Sequence, residues 1–179
     1  MSFPYNVNES TILSLVELED AEEIFALVDT SRDRLREWLP WVDLNTTADD
    51  TRTFIRFAQQ QYVEQQGFHC CIRYKTKIAG VIGFHRLDWT NKTAELAYWL
   101  GVQYQGKGLM SQCCKFLTNY AFHCLKFNRV EIRAASNNFK SCAIPERLGF
   151  IKEGILRDAE WLNDRFVDNV VYSMLLKDW

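Results

Sequence analysis

The sequence predicts an α+β fold: one mixed, largely antiparallel, twisted sheet flanked by helices. Two observations carry that prediction. Segments with strand-like patterning outnumber those of helical period, and the two kinds are mixed along the chain rather than strictly alternating. The 179 residues, 47% of them hydrophobic, are enough for one core, and no Pro/Gly-rich linker or internal repeat divides them. A single domain over 1–179 is the expectation.

The elements follow in order. Thr11 to Leu18 carries Ile12, Leu13, Leu15, Val16 and Leu18 and reads as a first strand. Glu19 and Asp20 then open a helix with acids at its positive end, and Ile24, Phe25, Leu27 and Val28 form its apolar face. A second short helix is expected from Arg32 to Trp38, stopped by Pro40, because the residue before a proline disfavours helix. Trp38-Leu39-Pro40-Trp41 is unusually apolar for a connection. It reads either as a lid over the core or as a wall of a substrate groove or subunit contact. Thr47 or Asp49 caps a helix from about Asp50 to Gln65, with Phe54, Ile55, Phe57, Ala58 and Tyr62 at helical spacing and Gly67 at its end. Phe68 to Tyr74 and Ile78 to His85 form a hairpin around Lys75-Thr76-Lys77. Gly80 and Gly83 inside its second strand mark bends or close backbone approach. After a turn from Asp88 to Lys92, Thr93 to Val102 is the strand that leads into a glycine-bearing loop. Beyond the next helix, Arg129 to Ala135 is a strand, and a short helix runs from Ser141 to Gly149. Phe150 to Leu156 is a strand, Trp161 to Val167 a hairpin around Asn163-Asp164, and Val167 to Leu176 the last strand.

The stretch from Tyr98 to His123 carries the functional signal. A strand enters, a loop with Gly106 and Gly108 turns, and an amphipathic helix through Phe116, Leu117, Tyr120 and Ala121 begins. The first turn of a helix has N–H groups without intrahelical partners, and they carry partial positive charge, so phosphate oxygens dock there. Gly106 and Gly108 let a phosphate approach the main chain, and Lys107 adds a cation. Two nucleotide-binding patterns are excluded. The P-loop needs a hydroxyl residue after its lysine, where Gly108 stands, and the dinucleotide fingerprint needs a third glycine, where Ser111 stands. Spacing alone leaves an anion cradle and a plain tight turn both open.

Gln105-x-x-Gly108-x-Met110 resembles the pyrophosphate-binding signature of the GNAT N-acetyltransferases, Gln/Arg-x-x-Gly-x-Gly/Ala, with Met110 in place of the small last residue. The run from Gln105 to Ser111 is similar to the branch that acetylates N-terminal amines of ribosomal proteins. So are Trp38-Leu39-Pro40-Trp41, Ala94-Glu95-Leu96-Ala97-Tyr98-Trp99-Leu100, and Asn138-x-x-Ser141 followed by Arg147-Leu148-Gly149-Phe150. This resemblance implies a GNAT-like domain with a splayed central strand pair and acetyl-CoA as co-substrate in the opening. It places the pantetheine arm along the backbone of Tyr98, Leu100 and Val102. The amides of Gln105, Gly106, Lys107, Gly108, Leu109 and Met110 would hold the pyrophosphate. Asn138 would bond the pantetheine arm, and Ser141 would stand beside the sulfur as the acid. Both are also residue types that cap helices.

Acetyl transfer needs a neutral amine, a donor aimed at the carbonyl oxygen and a proton for the leaving thiolate. A backbone N–H near Leu100 suits the oxyanion. Glu95 and His85 are the candidate bases, ahead of His69 and His123. Counting back from the loop puts the family's strand glutamate at Ala94, one residue early, and a shift of one residue reverses the face of a strand. A chain of waters is the alternative to a dedicated base.

The implied acceptor is the N-terminal amine of a protein, with a ribosomal protein as the candidate. A small amine such as a polyamine, amino acid or antibiotic is the second reading, and a non-catalytic acyl-CoA-binding module the third. The net charge of −2 gives no general reason to bind nucleic acid or anionic membrane. Met1-Ser2-Phe3-Pro4-Tyr5 is not a signal peptide, and no run of about eighteen apolar residues occurs. Cys70, Cys71, Cys113, Cys114, Cys124 and Cys142 lack metal-ligand spacing and read as buried, reduced thiols of a cytoplasmic protein, with no metal. Trp38, Trp41, Trp89, Trp161, Phe166 and Trp179 either fill the core or make a homodimer contact.

Overall fold

The computed structural model describes residues 4–179; Met1, Ser2 and Phe3, part of the stretch read as lacking a leader, lie outside the described residues. The elements are β1 (Tyr5–Asn8), β2 (Thr11–Leu15), α1 (Ala21–Leu35), α2 (Ala48–Val63), β3 (Phe68–Tyr74), β4 (Lys77–Asp88), β5 (Thr93–Leu100), α3 (Leu109–His123), β6 (Arg129–Ala135), α4 (Phe139–Arg147), β7 (Ile151–Leu162) and β8 (Arg165–Leu175). The strands form one sheet in the order β1-β2-β3-β4-β5-β6-β8-β7. Every neighbouring pair is antiparallel except β5 with β6. The expected α+β architecture is therefore the observed one.

Each face of the sheet buries a separate core. On one, Leu13, Phe68, Ile72, Ile82, Leu96 and Ile132 pack with Leu109, Cys113, Leu117 and Ala121 of α3. On the other, Cys71, Ile78 and Val81 pack with Ile24, Val28, Ile55 and Ala58 of α1 and α2. Because side chains alternate along a strand, Cys70 belongs to the first core and its neighbour Cys71 to the second. Five of the cysteines are buried; Cys124, just past α3, is exposed, which corrects the expectation for that position.

Several boundaries differ from those expected, among them β4, which runs past His85 to Asp88, and α4, which starts at Phe139 and ends at Arg147. Strand β2 ends at Leu15, and β1 precedes it. The two helices expected between Glu19 and Trp38 are one, because Thr30 does not break it: its hydroxyl donates back to Ala26 O at 2.8 Å. Strand β5 stops at Leu100, where Val102–Tyr104 turns as a 3-10 segment. The strand expected to end at Leu156 continues as β7 to Leu162, through a register shift between Leu156 and Glu160. The Asn163-Asp164 turn then reverses the chain, with both φ values positive at 50° and 60°. The close approach expected of Gly80 and Gly83 is present. A Cβ on Gly83 would lie 2.0 Å from Phe68 O, and one on Gly80 would lie 2.1 Å from Trp99 O.

Candidate active site: an opening between two parallel strands

Strand β5 pairs with β6 from Thr93↔Arg129 to Leu96↔Ile132, and there the pairing ends. Both strands continue. β5 stays bonded to β4 as far as Leu100↔Gly80, and β6 to β8 as far as Ala135↔Asn169. Residues 97–100 and 133–135 therefore border a wedge in the middle of the sheet. The N–H of Gly101 donates to Ala79 O on β4 at 2.9 Å, and Trp99 O also faces β4. Alternation then turns the N–H and C=O groups of Tyr98 and Leu100 into the wedge. The side chain of Gln105 reaches that edge, with Nε2 3.5 Å from Leu100 O. Val102 behaves differently from the expectation. Its N–H donates to Ser31 Oγ of α1 at 3.1 Å and its C=O accepts from Gln105 N–H at 3.2 Å, so its backbone is spent on shaping the loop.

The loop ends at the N-terminus of α3. Gly106 and Gly108 have φ of +75° and +74°, in the left-handed region that other residues enter at a cost. A Cβ on Gly106 would meet nothing within 4 Å, so conformation and not crowding explains this glycine. The first helical bond runs from Gln112 N–H to Gly108 O at 3.2 Å, which leaves the N–H groups of Leu109, Met110 and Ser111 without intrahelical acceptors. Met110, the departure from the family's small residue, is 5% exposed and points into the core, away from the solvent side of the loop. Lys107 Nζ sits 5.5 Å from the Tyr104 ring centre, and Lys140 Nζ 3.3 Å from Gln105 Oε1. Exposed glycine backbone, a helix N-terminus and nearby cations are a donor set that suits a diphosphate.

Across the wedge, Asn138 is the N-cap of α4, its Oδ1 accepting from Ser141 N–H at 3.2 Å. Ser141 is half-buried, its carbonyl accepts from Tyr98 OH at 3.2 Å, and its Oγ lies 3.5 Å from the same phenol oxygen. Burial pushes the Tyr98 phenol well above its ordinary pKa.

The other face of the wedge carries the titratable groups. Ala94 is fully buried against the α3 core, so alternation puts Glu95, Ala97 and Trp99 on the α1–α2 face. The glutamate shift that troubled the sequence count thus sends Glu95 toward the open face. There it shares Arg133 with Glu131: Arg133 Nε lies 3.9 Å from Glu95 and Arg133 Nη2 3.2 Å from Glu131. His85 is exposed on this face, at the register shift between Phe84 and Arg86. His69 is half-buried against Gln61, 3.2 Å away, and its pKa is pushed down to about 4 by burial and then by His85. His123 ends α3, about 20 Å along the helix from the glycine loop, and is not brought to the site.

Several residues here were not singled out from sequence. Ser31 anchors the loop from α1. Glu160 of β7 is half-buried, accepts from Asn169 Nδ2 at 3.3 Å, and makes no ion pair among the described residues. Asn169 lies opposite Ala135, beside the wedge. Ser31 meets Val102 from 71 positions away, and the β7–β8 hairpin with Glu160 and Asn169 comes beside the wedge only when β8 pairs with β6, so no local pattern announces them. The Trp38–Trp41 stretch spans the two sides: Trp41 meets Trp99 at 5.9 Å, and Trp38 packs on Ala135, Leu162 and Val167. Asn163 Nδ2, at the β7–β8 turn, donates to Arg36 O at 3.2 Å.

A mixed sheet that parts at its one parallel pair, with a bare strand edge leading to a glycine loop and a helix N-terminus, defines a domain for an extended, diphosphate-bearing coenzyme. Residues 11–151 match the Acetyltransferase (GNAT) domain family, and the chain belongs to it. It is 38% identical over 178 residues to the putative ribosomal N-acetyltransferase YdaF of Bacillus subtilis, covering 99% of this chain and 97% of that one. It is 30% identical to the ribosomal-protein-serine acetyltransferase of Escherichia coli, with 98% of each covered. Among solved structures it is similar to the microcin C7 self-immunity acetyltransferase MccE in complex with acetyl-CoA and AMP, at 32% identity and a TM-score of 0.91, over 95% of this chain and 94% of that one. The protein is an N-acetyltransferase of the GNAT type that uses acetyl-CoA. No described helix is long and apolar enough to cross a membrane.

Proposed function

We propose that the protein acetylates the N-terminal α-amine of a protein, with a ribosomal protein as the favoured acceptor. The wedge between β5 and β6 beyond Leu96 and Ile132 carries the reading, because it leaves a strand edge without β6 partners for the coenzyme, between two strands whose side chains can face an acceptor. The relatives, a putative ribosomal N-acetyltransferase and a ribosomal-protein-serine acetyltransferase, support the acceptor. A cavity of about 220 Å³ past the end of β6, lined by Ser136, Asn137, Arg165, Phe166, Val167 and Asp168, carries one acid and one base and is not an acidic cluster of the kind a polyamine would suit. The exposed Trp161 and Phe166 rings, 4.8 Å apart on the β7–β8 hairpin, support the homodimer contact, and the six cysteines, free of disulfides, support a cytoplasmic setting.

Bound acetyl-CoA supplies an activated acyl carbon and a thiolate leaving group. The chain supplies everything else. The backbone of Tyr98 and Leu100 pairs with the amide-rich arm as an added strand. The amides of 105–111 and Lys107 hold the diphosphate. Leu100 N–H faces the oxygen that gains charge. Asn138 braces α4 and turns its remaining amide toward the arm, and the Ser141 hydroxyl donates to the departing sulfur. The amine gives its proton to a carboxylate on the α1–α2 face. Glu160 is the better placed, because Glu95 shares a guanidinium with Glu131. His85 stands on β4, with β5, β6 and β8 between it and Glu160 on β7, so it serves as a relay only where Glu95 is the base.

Incubation of the protein with acetyl-CoA and a panel of peptides and small amines, followed by thiol release and peptide mass, tests this. Acetylation of peptide N-termini in preference to spermidine and free amino acids is expected. Turnover of small amines alone would move the acceptor to that class. Tight coenzyme binding with no turnover on any amine would reduce the protein to a binding module.

A further inference from the structure

We propose that the Tyr98 side chain is a positioning group for Ser141, tying α4 to the free edge of β5. This rests on the assignment of Ser141 as donor to the leaving sulfur.

Tyr98 lies in the four-residue stretch of β5 that has no β6 partner, so no interstrand bonds fix the distance between this edge and the elements across the wedge. Its ring is on the α3 face, packed with the core cluster that includes Cys114, Cys142 and Tyr172. Its hydroxyl crosses to α4 and donates to Ser141 O at 3.2 Å. That carbonyl belongs to the first turn of a nine-residue helix that Asn138 caps; farther along, the Tyr172 hydroxyl donates to Glu146 and Arg147 donates to Ser111 Oγ. Asn138 holds the Ser141 N–H and Tyr98 the Ser141 C=O, so both backbone groups of this residue are bound by named side chains.

The second contact is weaker by design of the distances. Ser141 Oγ stands 3.5 Å from the phenol oxygen, at the limit of a hydrogen bond. The Tyr98 proton is committed to the carbonyl, so Ser141 keeps its own proton, loosely directed at the edge of β5. It is free to turn to a sulfur arriving there. A serine hydroxyl rotates among staggered positions unless something selects one, and a donor that must meet a thiolate in the transition state gains from preselection. Tyr98 thus acts through Ser141 and does not itself donate to the sulfur.

Tyr98→Phe keeps the ring and removes only the hydroxyl. We expect kcat to fall about tenfold, KM for acetyl-CoA to stay within about twofold, and the thermal midpoint to drop by only a few degrees, as for the loss of one hydrogen bond. Ser141→Ala is expected to lose more. Residues that act as a unit are non-additive, so Tyr98→Phe added to Ser141→Ala should cost no more than about twofold. Full turnover in Tyr98→Phe, or losses that multiply in the double variant, would overturn the positioning role while leaving Ser141 in place. Full turnover in Ser141→Ala would overturn the donor assignment and Tyr98's role with it.

Discussion

The two sides of the wedge use different materials. The β5 side offers main chain: the edge at Tyr98 and Leu100, two glycines with positive φ, and the first amides of α3. The β8–β7 side offers side chains brought from distant parts of the chain: Glu160, Asn169 and the Trp38–Trp41 stretch. Backbone recognition suits a coenzyme common to a whole family. Side-chain recognition suits an acceptor that differs between members. The contrast also explains what each side tolerates. Met110 replaces a small residue without harm because its side chain turns into the core, whereas its amide stays in the first turn.

The largest effect is expected from damage to the backbone side. Gly108→Val puts a β-branched residue at φ +74°, where it costs about 1–2 kcal/mol or drives the loop to another conformation. Coenzyme affinity by calorimetry should fall at least about a hundredfold while the fold, by circular dichroism, survives. On the other side, Glu160→Gln should lower kcat/KM about a hundredfold, in the range of general-base loss, and remove the acid limb of the pH–rate profile. Glu95→Gln should change it only a few-fold. The reverse order would return the base to Glu95.

A smaller effect tests the join between the sides. Ser31→Ala leaves Val102 N–H without its acceptor, at a cost of about 1–3 kcal/mol in stability. KM for acetyl-CoA should rise a few-fold, because the loop loses its anchor on α1. The smallest effect on catalysis belongs to His69. With a pKa near 4 in the folded chain against 6.5 in the unfolded one, the unfolded state binds the extra proton between those values. Stability should therefore be full above about pH 6.5 and fall by up to about 3 kcal/mol as the pH drops to 4. Denaturant titrations of the parent and of His69→Gln check this; the variant should lose most of that slope.

The same contrast governs what the sequence discloses. Gln105, Gly106 and Gly108 announce the loop proposed for the coenzyme because backbone conformation is written in local residue types. The alternating segments announce the sheet for the same reason. The strand ends are harder: β5 stops at Leu100 because Val102 N–H finds Ser31, 71 positions away, and β7 runs to Leu162 because β8 pairs with it. Glu160 is unremarkable among the acids of a strand until Asn169 and the wedge are beside it. Glu95 was visible in the sequence, but its partnership with Arg133 and Glu131 arises only when β5 and β6 pair.

The central claim is that acetyl-CoA lies along the free edge of β5 with its diphosphate on the loop before α3. Amide hydrogen exchange with and without coenzyme A tests it directly. Strong new protection at Tyr98, Leu100 and residues 106–111, with little change on β7 and β8, is the expected result. Unchanged exchange across 98–111, with protection appearing elsewhere, would contradict it.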